Sequence, residues 1–453
     1  MQILSIQFLF FVSAVFILNW TAKARYRRFV LLVSSILFLL TFGNIIHCLY
    51  AGFVVVFVFF VDHFLGKKNN KYILWVQIFP LLLMLCFFKY IGLFNVRGFI
   101  MPIGISFYTF KAISYLVDIR LGKISSQKFL DLATYILFFP VLTAGPINRP
   151  ANFFRQLKEG KTFFYPLQKD GAVLTAFGLF QKLVFADYFQ SIVNTIFLNE
   201  ELTGWYLVLG VVLFAVQIYL DFDAYSNISI GISKMLGFEV ERNFKQPYLA
   251  ASIKEFWQRW HISLSSWFRD YLYIPLGGNR KGNIRKYLNM LIVFIVSGIW
   301  HGSTAGYVLW GLGHGIVNII EDIVFPKSLD KSPIFVRIPL IIFNFIIVSL
   351  LFVVFRSSNF AEITRIFSNL FLFQGFNLET IDLTIRQGVW MLIILIVVGI
   401  TDCFRNKHDM IQWLSKQNIV IRWGIYAGLI LIAIIFGIYG PGYNPSDFIY
   451  NAY

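Results

Sequence analysis

The chain has 453 residues, of which 58% are hydrophobic and only 14% charged, with a mean hydropathy of +0.70. So few charges cannot cover a core of that size with polar surface, which excludes a soluble globular domain and leaves an integral membrane protein. The net charge of +16 would suit nucleic acid in a soluble protein, but the Lys and Arg residues fall in short clusters between apolar runs. They read as topology signals, and no nucleic-acid partner is expected.

A hydrocarbon core takes about 20 helical residues to cross, so the length allows roughly ten to twelve crossings. Long unbroken apolar runs favour helices over barrel strands, whose signal would be alternation. The predicted fold class is an all-α polytopic membrane protein. Lys23, Arg25, Arg27 and Arg28 follow the first apolar run instead of preceding it, which argues against a cleavable signal peptide and for an outside N-terminus. Further runs at 29–42 and 45–62 lead to Lys67, Lys68 and Lys71, and runs near 72–94 and 101–119 lead to Arg120, Lys123 and Lys128. Paired crossings place all three clusters on the cytosolic side. Cys48, Cys86 and Cys403 are scattered without CxxC spacing and read as packing residues. No linker or repeat divides the chain, so residues 1–453 read as a single membrane domain.

Residues 96–122 begin with a segment broken by Gly and Pro and carry Lys111 and Asp118, groups that must face protein or water at that depth. The same holds for 138–150 and for 215–238, where Gln217 and Asp221, and Asp223 and Asn227, are four apart and share a helix face. These groups serve either as interhelical glue or as a cavity lining, with Asp221 and Asn227 the lining candidates. From 241 to 288 the chain turns amphipathic and basic, too polar to span. Trp257, Trp260, Trp267, Tyr271 and Tyr273 are expected at headgroup level on the membrane lipids, with Arg259, Arg269, Arg280, Lys281, Arg285 and Lys286 reaching toward water or phosphate. Arg280 and Lys281 in the GGNRKG loop, with Arg269 upstream, serve either as anchors on anionic lipid or as candidates for a phosphorylated donor's landing site.

Three of the six histidines, His261, His301 and His314, fall between Phe256 and Gly315. A histidine beside bilayer-depth apolar sequence is a functional candidate by default. His301 follows LIVFIVSGIW; His261 sits among interface-forming residues; His314, with three nearby glycines, reads as helix packing. His47, His63 and His408 read as structural or solvent-facing. There is no G-x-S-x-G, no HEXXH and no P-loop, so a serine nucleophile, a metal centre and ATP-driven transport have no support.

The runs QIYLDFDAYSNISIGISKMLGFEVERNFKQPY, FWQRWHISLSSWFRDYLYIPLGGNRKG, GIWHG and LWGLGHG, preceded by PIGISFYTFKAISYLVDI, FFPVLTAGPINRP and QKLVFADYF, resemble the membrane-bound O-acyltransferase (MBOAT) family. Within it the match is to the bacterial alginate and peptidoglycan-type polysaccharide O-acetyltransferase branch, over roughly residues 75–320. The resemblance implies a ring of helices, with shorter buried or re-entrant ones, around a central tunnel. It carries the family's catalytic histidine onto His301 and that histidine's polar partner onto His261, with Trp300 and Trp260 beside them as tunnel candidates. The tail DFIYNAY resembles a C-terminal motif in which a tyrosine carries the acyl group, here Tyr450; the match departs at Asn451 and Ala452, and an aromatic anchor is the alternative.

The implied activity is acetyl transfer from cytosolic acetyl-CoA toward an extracytoplasmic polysaccharide, with no bound cofactor and no metal. The expected location is the bacterial cytoplasmic membrane, with an SGNH-type extracytoplasmic transferase as partner. Two alternatives stand beside it: D-alanyl or other acyl transfer from a carrier protein to a cell-wall polymer, and a polysaccharide or lipid transporter without chemistry. The transporter reading lacks the internal symmetry many such folds show.

Overall fold

The computed structural model describes residues 4–65, 71–94, 101–325 and 333–440, and among them every regular element is helical. Seven helices among the described residues are long and apolar enough to cross a membrane: Ile45–Leu65, Tyr72–Phe94, Tyr165–Leu198, Trp205–Met235, Ile334–Arg356, Ile385–Lys407 and Ile419–Phe436. Shorter helices account for other apolar runs. The chain packs as two compact units, one within 1–176 and 225–242, the other within 177–224 and 243–443.

The first unit holds α1 (Ile6–Thr21), α2 (Arg27–Phe42), α3 (Ile45–Leu65), α4 (Lys71–Tyr90), α5 (Ile105–Arg120), α6 (Phe129–Leu137), α7 (Pro150–Glu159) and most of α8 (Tyr165–Phe180). Several of its polar groups at helix depth find partners inside protein, where a bilayer offers no water. Asp62 on α3 accepts from Tyr115 Oη at 2.8 Å and Ser126 Oγ at 3.0 Å. Lys111 and Asp118 are buried, as their setting demanded, and Asp118 pairs with Lys123 at 3.2 Å. His47 is also interior, its Nδ1 accepting from the Ile103 N–H at 3.2 Å. Gly231, in the part of the Trp205–Met235 helix belonging to this unit, lies against α8: a Cβ there would sit 2.5 Å from the Gly171 carbonyl oxygen, so only glycine fits.

The second unit contains α9 (Asp187–Leu198), the first part of α10 (Trp205–Met235), α11 (Ile253–Arg259), α12 (Ile262–Phe268), α13 (Asn283–His301), α14 (Ala305–Val324), α15 (Ile334–Arg356), α16 (Phe360–Asn369), α17 (Ile385–Lys407), α18 (Met410–Ser415) and α19 (Ile419–Phe436). A π-helical turn at Gln181–Ala186 precedes α9. It aims Lys182 at two carboxylates: Nζ lies 2.6 Å from Asp187 Oδ1 and 2.6 Å from Asp221 Oδ1, all three side chains being buried. Nearby in sequence, Asp223 accepts from Gln181 at 3.2 Å and from Arg405 at 3.0 Å, while Asp402 accepts from Tyr219 Oη at 3.0 Å. Charges on three candidate spans, 165–198, 205–235 and 385–407, are thereby paired with one another instead of facing lipid.

Candidate active site

α13 and α14 form an antiparallel hairpin whose backbones nearly touch. A Cβ on Gly298 would lie 2.3 Å from the Tyr307 carbonyl oxygen, and one on Gly311 would lie 2.3 Å from that of Phe294. Small residues at these two points let the helices close, which is how helices associate where no hydrophobic force separates protein from lipid. His301 is the last residue of α13 and is buried, so the close hairpin fixes it against the start of α14. Its imidazole meets Trp310 edge-on at 5.2 Å and 90°, Phe355 of α15 at 5.2 Å and 82°, and Trp300 at 4.8 Å.

His261 lies between two short helices. α11 starts with its first N–H groups capped by Glu321 of α14, which accepts from Ile253 N at 2.5 Å and Lys254 N at 3.3 Å. After Trp260 the chain turns at His261, which has φ of 42°, a left-handed conformation uncommon for a residue with a side chain. Asn243 holds that turn: its carbonyl accepts from Ile262 N at 2.9 Å and its side-chain oxygen from Ser263 Oγ at 2.6 Å. The imidazole is buried and sits edge-on to Phe222 at 4.7 Å. Burial lowers its pKa to about 3, so the ring is neutral at physiological pH.

The third histidine is more deeply enclosed than packing through glycines alone would require. His314 on α14 has no exposed surface and lies among Trp257 at 5.0 Å, Trp310 at 5.1 Å, Phe256 at 6.2 Å and Phe294 at 6.2 Å. Trp310 thus touches both His301 and His314. Trp260, adjacent to His261, packs on Phe352 at 5.0 Å, one helical turn from the Phe355 that packs on His301. The second unit therefore gathers all three histidines into one aromatic cluster built from α11, α13, α14 and α15.

The other candidates take separate places. Trp300 is part of the His301 contact, and Trp260 lies in the cluster interior. Trp260 and Trp267 are both buried against protein in the second unit, where the 241–288 segment folds through short helices. Asp221 is engaged by Lys182, and Asn227, also buried, belongs to the first unit. Arg269 pairs with Asp270 at 3.0 Å at an exposed position, and Arg280 and Lys281 are exposed in the loop before α13. At the start of α13, Lys286 and Tyr287 both bond to Asp322, and the Lys286 hydrogen bond holds that carboxyl below its usual range. Tyr450 lies outside the described residues. Among the described residues no cluster of His, Cys, Asp and Glu could hold a metal ion. The Lys182 triad escaped the sequence reading, though QKLVFADYF contains two of its members; a lysine followed five residues later by aspartate in an apolar run was the available signal.

Comparison with known proteins places the chain in a family. The sequence model of the membrane-bound O-acyltransferase family matches residues 120–361, a span that includes all three clustered histidines. The chain is 31% identical to the probable alginate O-acetylase AlgI of Pseudomonas putida, over 95% of this chain and 94% of that protein. It is also 31% identical to the peptidoglycan O-acetyltransferase of Helicobacter pylori, over 63% of this chain and 59% of that one. The teichoic acid D-alanyltransferase of Streptococcus thermophilus is 26% identical over 60% of this chain and 69% of its own length.

Proposed function

The chain belongs to the membrane-bound O-acyltransferase family, and from that premise we propose that it moves acetyl from cytosolic acetyl-CoA toward an extracytoplasmic polysaccharide, with His301 as general base. The observation that carries the residue assignment is the placement of His301: a buried imidazole at the end of a helix, walled by Trp300, Trp310 and Phe355. In the transfer, Nδ1 or Nε2 takes the proton of an acceptor hydroxyl as its oxygen attacks the thioester carbonyl. The carbon–sulfur bond then breaks and the imidazolium returns the proton to the departing thiolate. General-base assistance of this kind contributes about 10²- to 10⁴-fold. The C-terminal end of α13 presents the negative pole of a helix dipole, which favours the transient imidazolium. Aromatic walls exclude water that would hydrolyse the thioester. With its lowered pKa, His261 is a poor proton acceptor and suits orientation of the reacting groups.

Alginate and peptidoglycan are acceptors of two relatives named above, which supports a glycan acceptor here. Delivery to that glycan through an SGNH-type partner outside the membrane, and a rest stop for the acyl group on Tyr450, complete the proposal. The similarity to a teichoic acid D-alanyltransferase supports a second reading, acyl transfer from a carrier protein. Purified protein with radiolabelled acetyl-CoA should release free CoA, and His301→Ala should abolish the release while the protein stays folded. Intact turnover in that variant refutes the base assignment. Unchanged transfer to acceptor by Tyr450→Phe refutes the relay. Activity only with an aminoacylated carrier protein would establish the second reading.

A further inference from the structure

The end of the second unit that carries α16 gathers large apolar side chains on its outside. Leu198, Trp205, Phe371, Leu372, Phe373 and Phe376 are each between 45% and 76% exposed. The backbone beneath them is firmly held. Tyr206 Oη accepts from Asn377 N at 2.8 Å and donates to the Asn377 carbonyl at 3.3 Å, and the Asn369 carbonyl accepts from Gly204 N at 2.9 Å. A Cβ on Gly204 would lie 2.6 Å from the Leu372 carbonyl oxygen, so the segment after α16 rests directly on the turn between α9 and α10. Trp205 packs on Phe373 at 4.7 Å and Tyr206 on Phe376 at 4.9 Å. Farther on, Ile381 and Leu383 are buried and Tyr188 Oη donates to the Gln387 carbonyl at 2.8 Å, which fastens the segment again at the start of α17. An exposed apolar surface on so fixed a frame marks a place of contact.

Position selects the partner. Leu198 ends one candidate span, Trp205 begins the next and Ile385 begins a third, so three spans reach their boundary here. α15 arrives from the other boundary: Arg337 near its start pairs with Glu255 of α11 at 2.6 Å, and its 23 residues run about 34 Å, enough to cross a hydrocarbon core of about 30 Å. α17 leaves the same surface with Ile385, Val389, Leu392 and Ile396 exposed along one face, as a helix against lipid requires. No Lys or Arg occurs in 198–206 or 369–385, whereas Glu200, Glu201 and Glu379 are exposed. The attraction is therefore apolar and owes nothing to phosphate pairing. We propose that Leu198, Trp205, Phe371, Leu372, Phe373 and Phe376 form an interfacial ledge seated on the lipid surface, at the boundary of headgroups and acyl chains on the side away from α11. The three carboxylates stay in water and limit how deep the ledge sinks. Because the turn at 199–204 and the segment at 369–377 are joined, the ledge holds three span ends at one depth. This seat does not depend on the acyl-transfer reading.

Spin labels read the depth directly. The full chain carrying Cys48→Ala, Cys86→Ala and Cys403→Ala is placed one copy per nanodisc, in phosphatidylethanolamine with phosphatidylglycerol, which keeps a second copy from covering the surface. A nitroxide is attached at Leu372→Cys and, in a separate sample, at Glu201→Cys as the water reference. Oxygen concentrates among acyl chains and a nickel chelate stays in water, so the ratio of their effects on nitroxide relaxation reports which phase each label occupies. The ratio at Leu372→Cys should exceed that at Glu201→Cys severalfold. Equal ratios overturn the proposal: the surface then stands in water, and its occupant is a soluble protein. Thermal unfolding identifies a variant that fails to fold, and Phe371→Cys, at an exposed position of the same ledge, then carries the test with the same two outcomes.

Discussion

Gly298→Ala should separate the two helices that set the position of His301. The added Cβ would sit 2.3 Å from the Tyr307 carbonyl oxygen and 3.0 Å from its carbonyl carbon, both rigid backbone. A carbon–oxygen contact relaxes at about 3.3 Å, so α13 and α14 must part by about 1 Å at that point. Overpacking of this kind costs about 1–3 kcal/mol of stability. The catalytic consequence is larger, since His301 is three residues away on the same helix and a 1 Å misplacement costs about 10²-fold in rate. Initial rates of CoA release at saturating donor, with thermal unfolding alongside, read both effects. Gly52→Ala is the control: nothing lies within 4 Å of a Cβ there, and helix propensity makes it neutral or stabilising by up to about 1 kcal/mol. Wild-type turnover in Gly298→Ala would refute the claim that hairpin closure positions the histidine.

Two further outcomes follow from burial of charge. Lys182→Met strands Asp187 and Asp221 without their shared cation and should cost about 3–5 kcal/mol in detergent unfolding; adding Asp221→Asn should recover part of it, and a variant as stable as wild type would show the triad is not closed as described. His261, buried with its pKa lowered to about 3, resists the proton that the unfolded chain accepts near 6.5, so stability holds above pH 6.5 and falls by about 1.4 kcal/mol per pH unit between there and pH 3. His261→Asn tolerates the left-handed turn and should flatten that decline in unfolding curves taken across the window; an unchanged slope would assign the acid sensitivity elsewhere.

Much of this was legible along the chain. The runs at 29–42 and 45–62 became α2 and α3 almost residue for residue, because a bilayer leaves an apolar run no choice but to close its own hydrogen bonds. Lys111 and Asp118 had to face protein or water, and both are buried in protein. What stayed hidden was tertiary. Trp260 and Trp267 carry the same amphipathic signature whatever protein surface covers them, so hydropathy alone does not reveal the neighbours that bury them. The partnership of Lys182 with Asp221 spans 39 residues and depends on a π-helical turn that no periodicity announces. His314 looked like packing because its glycines do pack; the two tryptophans that surround it come from α11 and from its own helix, and only folding brings them together.

Glu321 and Asp322 are neighbours on α14, yet successive helical positions diverge by about 100°, so they reach different helices. One caps the helix leading to His261; the other grips the start of the helix that ends in His301. Neither carboxylate approaches the reacting groups, and His301 lies roughly 22 Å along α13 from the grip. The pair thus ties the start of α11 and the start of α13 to adjacent residues of α14, at the end of the hairpin opposite His301. Two adjacent carboxylates therefore anchor two separate stretches of chain, and losing either would loosen one stretch while leaving the other held.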